Sequence, residues 1–228
     1  MIFLAAGPSF SGKTHLIREW MLPTLLTDPH KITTTLPARF RGALIDDPSS
    51  PNAPAGQYMV GGRYRDVAAW RATPKTERKR VSCFDQAQPD ALHELALALA
   101  NTLLVYDEID AVFPPGRALT PLESEVVQRG RHYGVAVVGT CRRLHNVHRD
   151  LRANIQGAWI GNLSEPDDRR YASKLAGVDE RILATLAPKE FVEYIRATGA
   201  VSIVRIREGG DVDRADPADR LRELERGQ

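Results

Sequence analysis

The chain has 228 residues, 43% hydrophobic and 26% charged, with a formal net charge of +2. That is enough for one large α/β domain whose core needs no staples, and the near-balanced average reveals no nucleic-acid partner, so local charge must be examined instead. Cys83 and Cys141 stand in apolar runs and read as buried thiols of a reducing compartment, not as a disulfide framework or metal site; no apolar run approaches the roughly 18 residues of a membrane span, and the N-terminus has no basic leader, so the chain is expected to be cytoplasmic.

The chain opens with an apolar run, Ile2-Phe3-Leu4-Ala5-Ala6, followed by Gly7-Pro8-Ser9-Phe10-Ser11-Gly12-Lys13-Thr14 and then a helical pattern from Thr14 to Trp20. Strand, glycine-rich turn and helix make the context of a phosphate-binding P-loop. The two glycines let successive N–H groups point at one phosphate, and the helix beginning near Gly12 adds its positive end. Lys13 is expected to reach the β/γ-phosphates of ATP and the Thr14 hydroxyl to ligate Mg²⁺.

Pro23 and Thr27-Asp28-Pro29 break the first helix. The β-branched stretch Lys31-Ile32-Thr33-Thr34-Thr35-Leu36 is expected to be a second strand, and Arg41 to Ile45 another. Asp46 to Gly56 reads as a loop, long enough to be functional or a surface insertion. Residues 63–80 carry seven basic side chains against two acidic ones, which fits either a DNA-backbone contact or a solvated face; Tyr64 to Ala72 within it looks helical. Loop 46–62 and this basic stretch are the candidates for substrate contacts.

Val81 to Phe84 reads as a buried strand and Asp90 to Ala100 as a helix, with Leu92, Leu95, Ala96 and Leu99 on one face. The next strand, Thr102-Leu103-Leu104-Val105-Tyr106, ends in Asp107-Glu108, the Walker B arrangement. Asp107 is expected to hold Mg²⁺, and Glu108 to orient the attacking water and accept its proton. Thr120-Pro121-Leu122-Glu123 is a capped helix start, and that helix is expected to run to about Tyr133. Val135 to Thr140 is an apolar strand whose terminal Thr140 is placed to sense the γ-phosphate. Beyond it the pattern predicts helices over 146–154, 165–176, 179–186 and 189–198, a strand at Ala158-Trp159-Ile160, and an alternating strand from Ala200 to Ile206 at a sheet edge. Residues 1–206 form the expected ATPase domain and 207–228 a charged tail or short amphipathic helix.

The stretch from Gln128 through Arg131, Tyr133-Gly134 and Thr140-Cys141-Arg142-Arg143, continued by Asp150-Leu151-Arg152-Ala153-Asn154, resembles the FtsK–HerA superfamily of P-loop motors. In that superfamily an arginine-bearing helix leads through glycine into an apolar strand ending in a Thr-Gln-Arg-like motif. The resemblance implies a RecA-like α/β fold with a mainly parallel sheet and helices on both faces. It implies ATP hydrolysis coupled to movement along double-stranded DNA by a hexameric ring, as in viral and phage genome-packaging ATPases, with a capsid, portal or membrane component as further partner. It also implies an arginine acting in trans, with Arg131, then Arg129 and Arg117, as candidates. The chain departs from the pattern at Cys141, where the family has Gln; a thiol bonds poorly, so Thr140 takes the sensing role or sensing is weaker. Two other readings stay open: an assembly or secretion ATPase resembling the zonular-occludens-toxin-like proteins, which usually carry a transmembrane segment, and a non-motor nucleotide-binding scaffold or small-molecule kinase. The Asp107-Glu108 pair favours water as the nucleophile.

Overall fold

A computed structural model describes residues 1–46, 62–85 and 88–226. The expected loop from Asp46 to Gly56 lies outside these residues apart from Asp46, as does most of the candidate contact stretch 46–62. The elements begin with β1 (Ile2–Ala6), α1 (Lys13–Leu16), which runs through a π turn (Ile17–Met21) into α2 (Leu22–Thr27), β2 (Gly42–Asp46), β3 (Gly62–Tyr64), α3 (Val67–Ala72) and β4 (Val81–Phe84). They continue with α4 (Pro89–Leu99), β5 (Thr102–Tyr106), α5 (Ile109–Val112), α6 (Pro121–Ser124), β6 (Ala136–Cys141), α7 (Arg149–Ala153), β7 (Ile155–Ile160) and α8 (Pro166–Ala176). The last are α9 (Glu180–Thr185), β8 (Glu190–Ile195), β9 (Ala200–Ile206), β10 (Val212–Ala215) and α10 (Pro217–Arg226).

The ten strands of the described residues form one sheet in the order β10-β9-β8-β7-β1-β6-β5-β2-β4-β3. From β7 to β3 every pairing is parallel, while β8, β9 and β10 add an antiparallel extension. The central strands are buried on both faces, which explains why β1, β5 and β6 read as unbroken apolar runs. One face packs against α3 to α9, with Ile2, Leu4, Leu104, Val137 and Leu151 among its buried side chains. The other packs against α1 and α2 through Phe3, Leu16, Ile17, Met21 and Trp159. Both cysteines are buried free thiols, as expected.

Two expected elements fold differently. Lys31 to Leu36 is no strand: a 3₁₀ turn, Pro29–Lys31, starts a compact loop. Ile32 and Leu36, four residues apart, drop together into the α1–α2 face, and the His30 ring bonds the Leu36 carbonyl; tertiary burial overrides β-propensity here. The expected helix 189–198 is instead strand β8, closed by a turn at Gly199 into β9. Glu190 and Glu193 imitate the polar face of a helix, yet both are buried. Arg205 and Arg220 hold Glu190, and Trp159, Ser202 and Arg214 hold Glu193. Smaller shifts have similar causes. Tyr64 ends a strand and α3 begins at Val67, capped by the Asp66 side chain; the helix expected over 146–154 is α7 alone, preceded by a 3₁₀ turn, Leu144–Asn146. β9 is not at the edge, because β10 pairs outside it. The sheet thus continues past Ile206, and the last residues of the described chain form the helix α10.

Candidate active site

The turn from β1 into α1 forms a cradle. Gly7 (φ +153°) and Gly12 (φ +95°) adopt backbone conformations that side chains resist, and a Cβ on Gly7 would lie 2.9 Å from Ser11 Oγ. Ser11 Oγ is itself buried without a hydrogen-bond partner, the state of a group that awaits a ligand oxygen. The cradle is braced from two sides: the Gly7 N–H donates to the Cys141 carbonyl at 3.1 Å and the Lys189 N–H to the Ser11 carbonyl at 3.0 Å. Pro8, Ser9 and Phe10 form its exposed crest, and Phe10 stands 99% exposed with φ +63°. Lys13 Nζ donates to the Gly7 and Pro8 carbonyls, both at 2.8 Å. Burial pulls its pKa below the ordinary lysine value, so an ammonium held by two neutral carbonyls gains by exchanging them for an anion.

Strand order brings the second half of the site opposite the first. β6 lies between β1 and β5, so residues at the C-terminal ends of all three strands converge. The Thr140 hydroxyl donates to Asp107 Oδ1 at 2.8 Å and accepts the Glu108 N–H at 3.0 Å. It therefore brackets the Asp-Glu pair and fixes Glu108 in a left-handed conformation, φ +61°. Glu108 Oε1 pairs with Arg142 Nη2 at 3.1 Å. Lys13, Thr14, Asp107, Glu108, Thr140 and Arg142 line one cleft of about 460 Å³. Asp107 and Glu108 also wall a second, of about 430 Å³, beside Asp46, Asp90 and Glu123.

Arg142 is the site residue that sequence reasoning named in the Thr140-Cys141-Arg142-Arg143 stretch without giving it a role. The loop after β6 sets its aim: buried Asp168 on α8 binds both Arg143, at 2.7 Å, and His145, which ties that loop down and leaves Arg142 toward the cleft. Cys141 takes no such part. Its side chain is buried and burial raises the thiol pKa far above its usual range, so its contribution is the carbonyl that braces Gly7.

The three arginines considered for a role in trans differ. Arg117 forms a fork to the buried Glu123 carboxylate at 2.6 and 2.9 Å and donates to the Val112 and Ala118 carbonyls, which makes it a structural clamp on the α6 capping box. Arg129 is exposed beside Glu125. Arg131 is exposed and lines a cavity with Met1, Gln128 and Asn154, at the opposite end of β1 from the cradle. Part of the basic stretch 63–80 is likewise structural: Arg63 pairs with Asp85, Arg78 stacks on Trp70 at 4.1 Å and Arg80 donates to three carbonyls. Arg65 and Arg71 remain largely exposed.

The donor set fits Mg²⁺-nucleotide: one hydroxyl, Thr14, and one carboxylate, Asp107, suit a hard cation that takes its remaining ligands from phosphates and water. Among the described residues no cluster of three or more His, Cys, Asp or Glu exists that could hold a metal without a nucleotide.

No protein-family model matches the sequence, and no curated protein matches it significantly. Solved structures do. The genome packaging NTPase B204 from Sulfolobus turreted icosahedral virus 2 in complex with AMP is 21% identical, with a TM-score of 0.68 over 89% of this chain and 95% of that one. The same NTPase in complex with ATP-gammaS gives 20% and 0.68 at the same coverage, and B204, the DNA-packaging ATPase from Sulfolobus turreted icosahedral virus, gives 18% and 0.65. The chain therefore has an α/β, RecA-like P-loop NTPase fold, and its resemblance to viral genome-packaging ATPases is borne out in three dimensions as a likeness of fold.

Proposed function

We propose that this chain is an ATP-hydrolysing double-stranded DNA translocase, a viral or phage genome-packaging motor that works as a homohexameric ring in the host cytoplasm or on the virion, against a capsid or portal component. One observation carries the hydrolytic part: the Thr140 hydroxyl joins Asp107 and Glu108 across a single cleft from Lys13. The near-complete mutual coverage with the packaging NTPase supports the motor part. Among the described residues no helix is long and apolar enough to cross a membrane.

The chemistry is set by the positions. Lys13 leaves the Gly7 and Pro8 carbonyls for the β/γ-phosphate oxygens, and Ser11 Oγ and the backbone N–H groups of the turn complete the cradle. Thr14 and Asp107 would hold Mg²⁺, which would offset charge on those oxygens. Glu108 orients a water in line with the γ-phosphorus and takes its proton; the bond from water oxygen to phosphorus forms as the bond to the β-phosphate oxygen breaks. Arg142 restrains Glu108 before nucleotide arrives and then turns to the γ-phosphate oxygens, which carry more negative charge than one carboxylate. Thr140 reports the state of the phosphate by holding both carboxylate residues at once. Arg131 cannot reach the cradle of its own chain, since β1, five residues at about 3.3 Å each, separates them; it serves the site of a neighbouring subunit. Phosphate release measured with and without double-stranded DNA, together with sizing in the presence of nucleotide, tests the reading. DNA-stimulated release and rings are expected.

A further inference from the structure

Five non-glycine residues among the described ones have positive φ: Phe10, Ala100, Asn101, Glu108 and Lys189. Ala100 and Asn101 form the turn into β5. Phe10 and Glu108 belong to the nucleotide cleft. Lys189, at φ +66°, starts the antiparallel extension, and it touches the glycine-rich turn that forms the cradle. Its N–H holds the Ser11 carbonyl and its own carbonyl accepts the Ile206 N–H at 3.1 Å. Its Cγ lies 3.2 Å from where a Cβ of Gly12 would stand, so the lysine stem runs over the glycine that begins α1.

A left-handed lysine is strained where glycine would not be. Strain of this kind persists at sites that use it. The neighbouring carboxylate is not its partner, because Arg205 and Arg220 hold Glu190. A second group stands beside Lys189. His15 comes directly after Thr14, lines the cleft, and its Nε2 is buried without a hydrogen bond. Through that nitrogen the ring can donate one hydrogen bond or accept one. With the β/γ-phosphates at Lys13, a nucleotide cradled by the turn would lay its α-phosphate and ribose elsewhere along the same cleft, which His15 also lines.

We infer that Lys189 and His15 grip the α-phosphate–ribose end of the nucleotide, Lys189 as the cation and His15 through Nε2. The antiparallel extension β8–β10 is then a working part of nucleotide recognition, and the site selects a nucleoside phosphate over inorganic pyrophosphate. This rests on the nucleotide site proposed above and adds the residues that read the nucleoside side of it.

The test is calorimetric titration of ADP and of pyrophosphate, each with Mg²⁺, into the parent chain, Lys189→Gly, Lys189→Met and His15→Ala. Each variant should bind ADP roughly tenfold more weakly, the loss of one charge-assisted or buried polar contact, with pyrophosphate affinity within about twofold of the parent. Lys189→Gly should melt no lower than the parent, because glycine accepts the left-handed conformation freely. ADP affinity unchanged in both Lys189 variants would overturn the inference. So would equal losses for ADP and pyrophosphate, which would mark Lys189 as a support of the loop only. A parent chain that binds neither ligand would remove the nucleotide site and this inference with it.

Discussion

Thr140→Val isolates the hydroxyl on which the catalytic half of the site depends. Valine matches threonine in shape but removes the oxygen that donates to Asp107 at 2.8 Å and accepts the Glu108 N–H at 3.0 Å. The bond to the carboxylate is worth about 1.5–3 kcal/mol, and the amide left without an acceptor costs about 1–3 kcal/mol if buried. Glu108 is partly exposed, so water recovers some of the second term, and a net loss of about 2–4 kcal/mol is expected. For a chain of this size that is a fall in Tm of about 5–12 °C. The left-handed Glu108 loses the bond that fixes it, and misplacement of a catalytic carboxylate by about 1 Å costs on the order of 100-fold in turnover. Thr140→Ser should restore both. The assays are thermal unfolding and steady-state phosphate release at saturating ATP. If Thr140→Val melts and turns over like the parent, the hydroxyl bracket is not what organises Asp107 and Glu108.

Four further substitutions separate the roles. Glu108→Gln should bind ATP with parental affinity yet hydrolyse it about 100-fold or more slowly, the range of lost general-base catalysis; in contrast, Lys13→Ala should weaken binding and turnover together. Arg142→Ala breaks a half-exposed ion pair and should change stability by less than about 1 kcal/mol, while turnover falls on the order of 100-fold as a donor to the γ-phosphate is lost. Arg117→Ala should do the reverse. It strands the Glu123 carboxylate, which is only 3% exposed, at a cost of about 3 kcal/mol and a Tm fall of about 6–12 °C; a variant of parental Tm that had lost only turnover would make Arg117 a candidate in trans again.

Legible in the sequence is whatever the backbone or a long apolar run dictates. The cradle is visible because two glycines, a lysine and a threonine must stand at fixed spacing. β1, β5 and β6 are visible because a strand covered on both faces has no room for polar residues. β8 reads as a helix because Glu190 and Glu193, placed like a polar helix face, are buried by arginines from β9, β10 and α10, partners that no local pattern reveals. The same limit hides the site's remote members. Arg142 is one arginine among six between 129 and 152 until Asp168 fixes the loop beside it, and Lys189 meets the cradle only because β8 pairs antiparallel with β7, the neighbour of β1, which sets the start of β8 at the cradle end of the sheet. A left-handed lysine leaves no mark in composition or periodicity.

The central claim, that this cleft burns ATP to move DNA, is tested most directly by free phosphate release from the purified chain with and without double-stranded DNA, with Glu108→Gln as the blank. Release that rises severalfold on adding DNA and vanishes in the blank is the expected result. The same rate with and without DNA, from a chain that stays monomeric in the presence of ATP, would contradict the account.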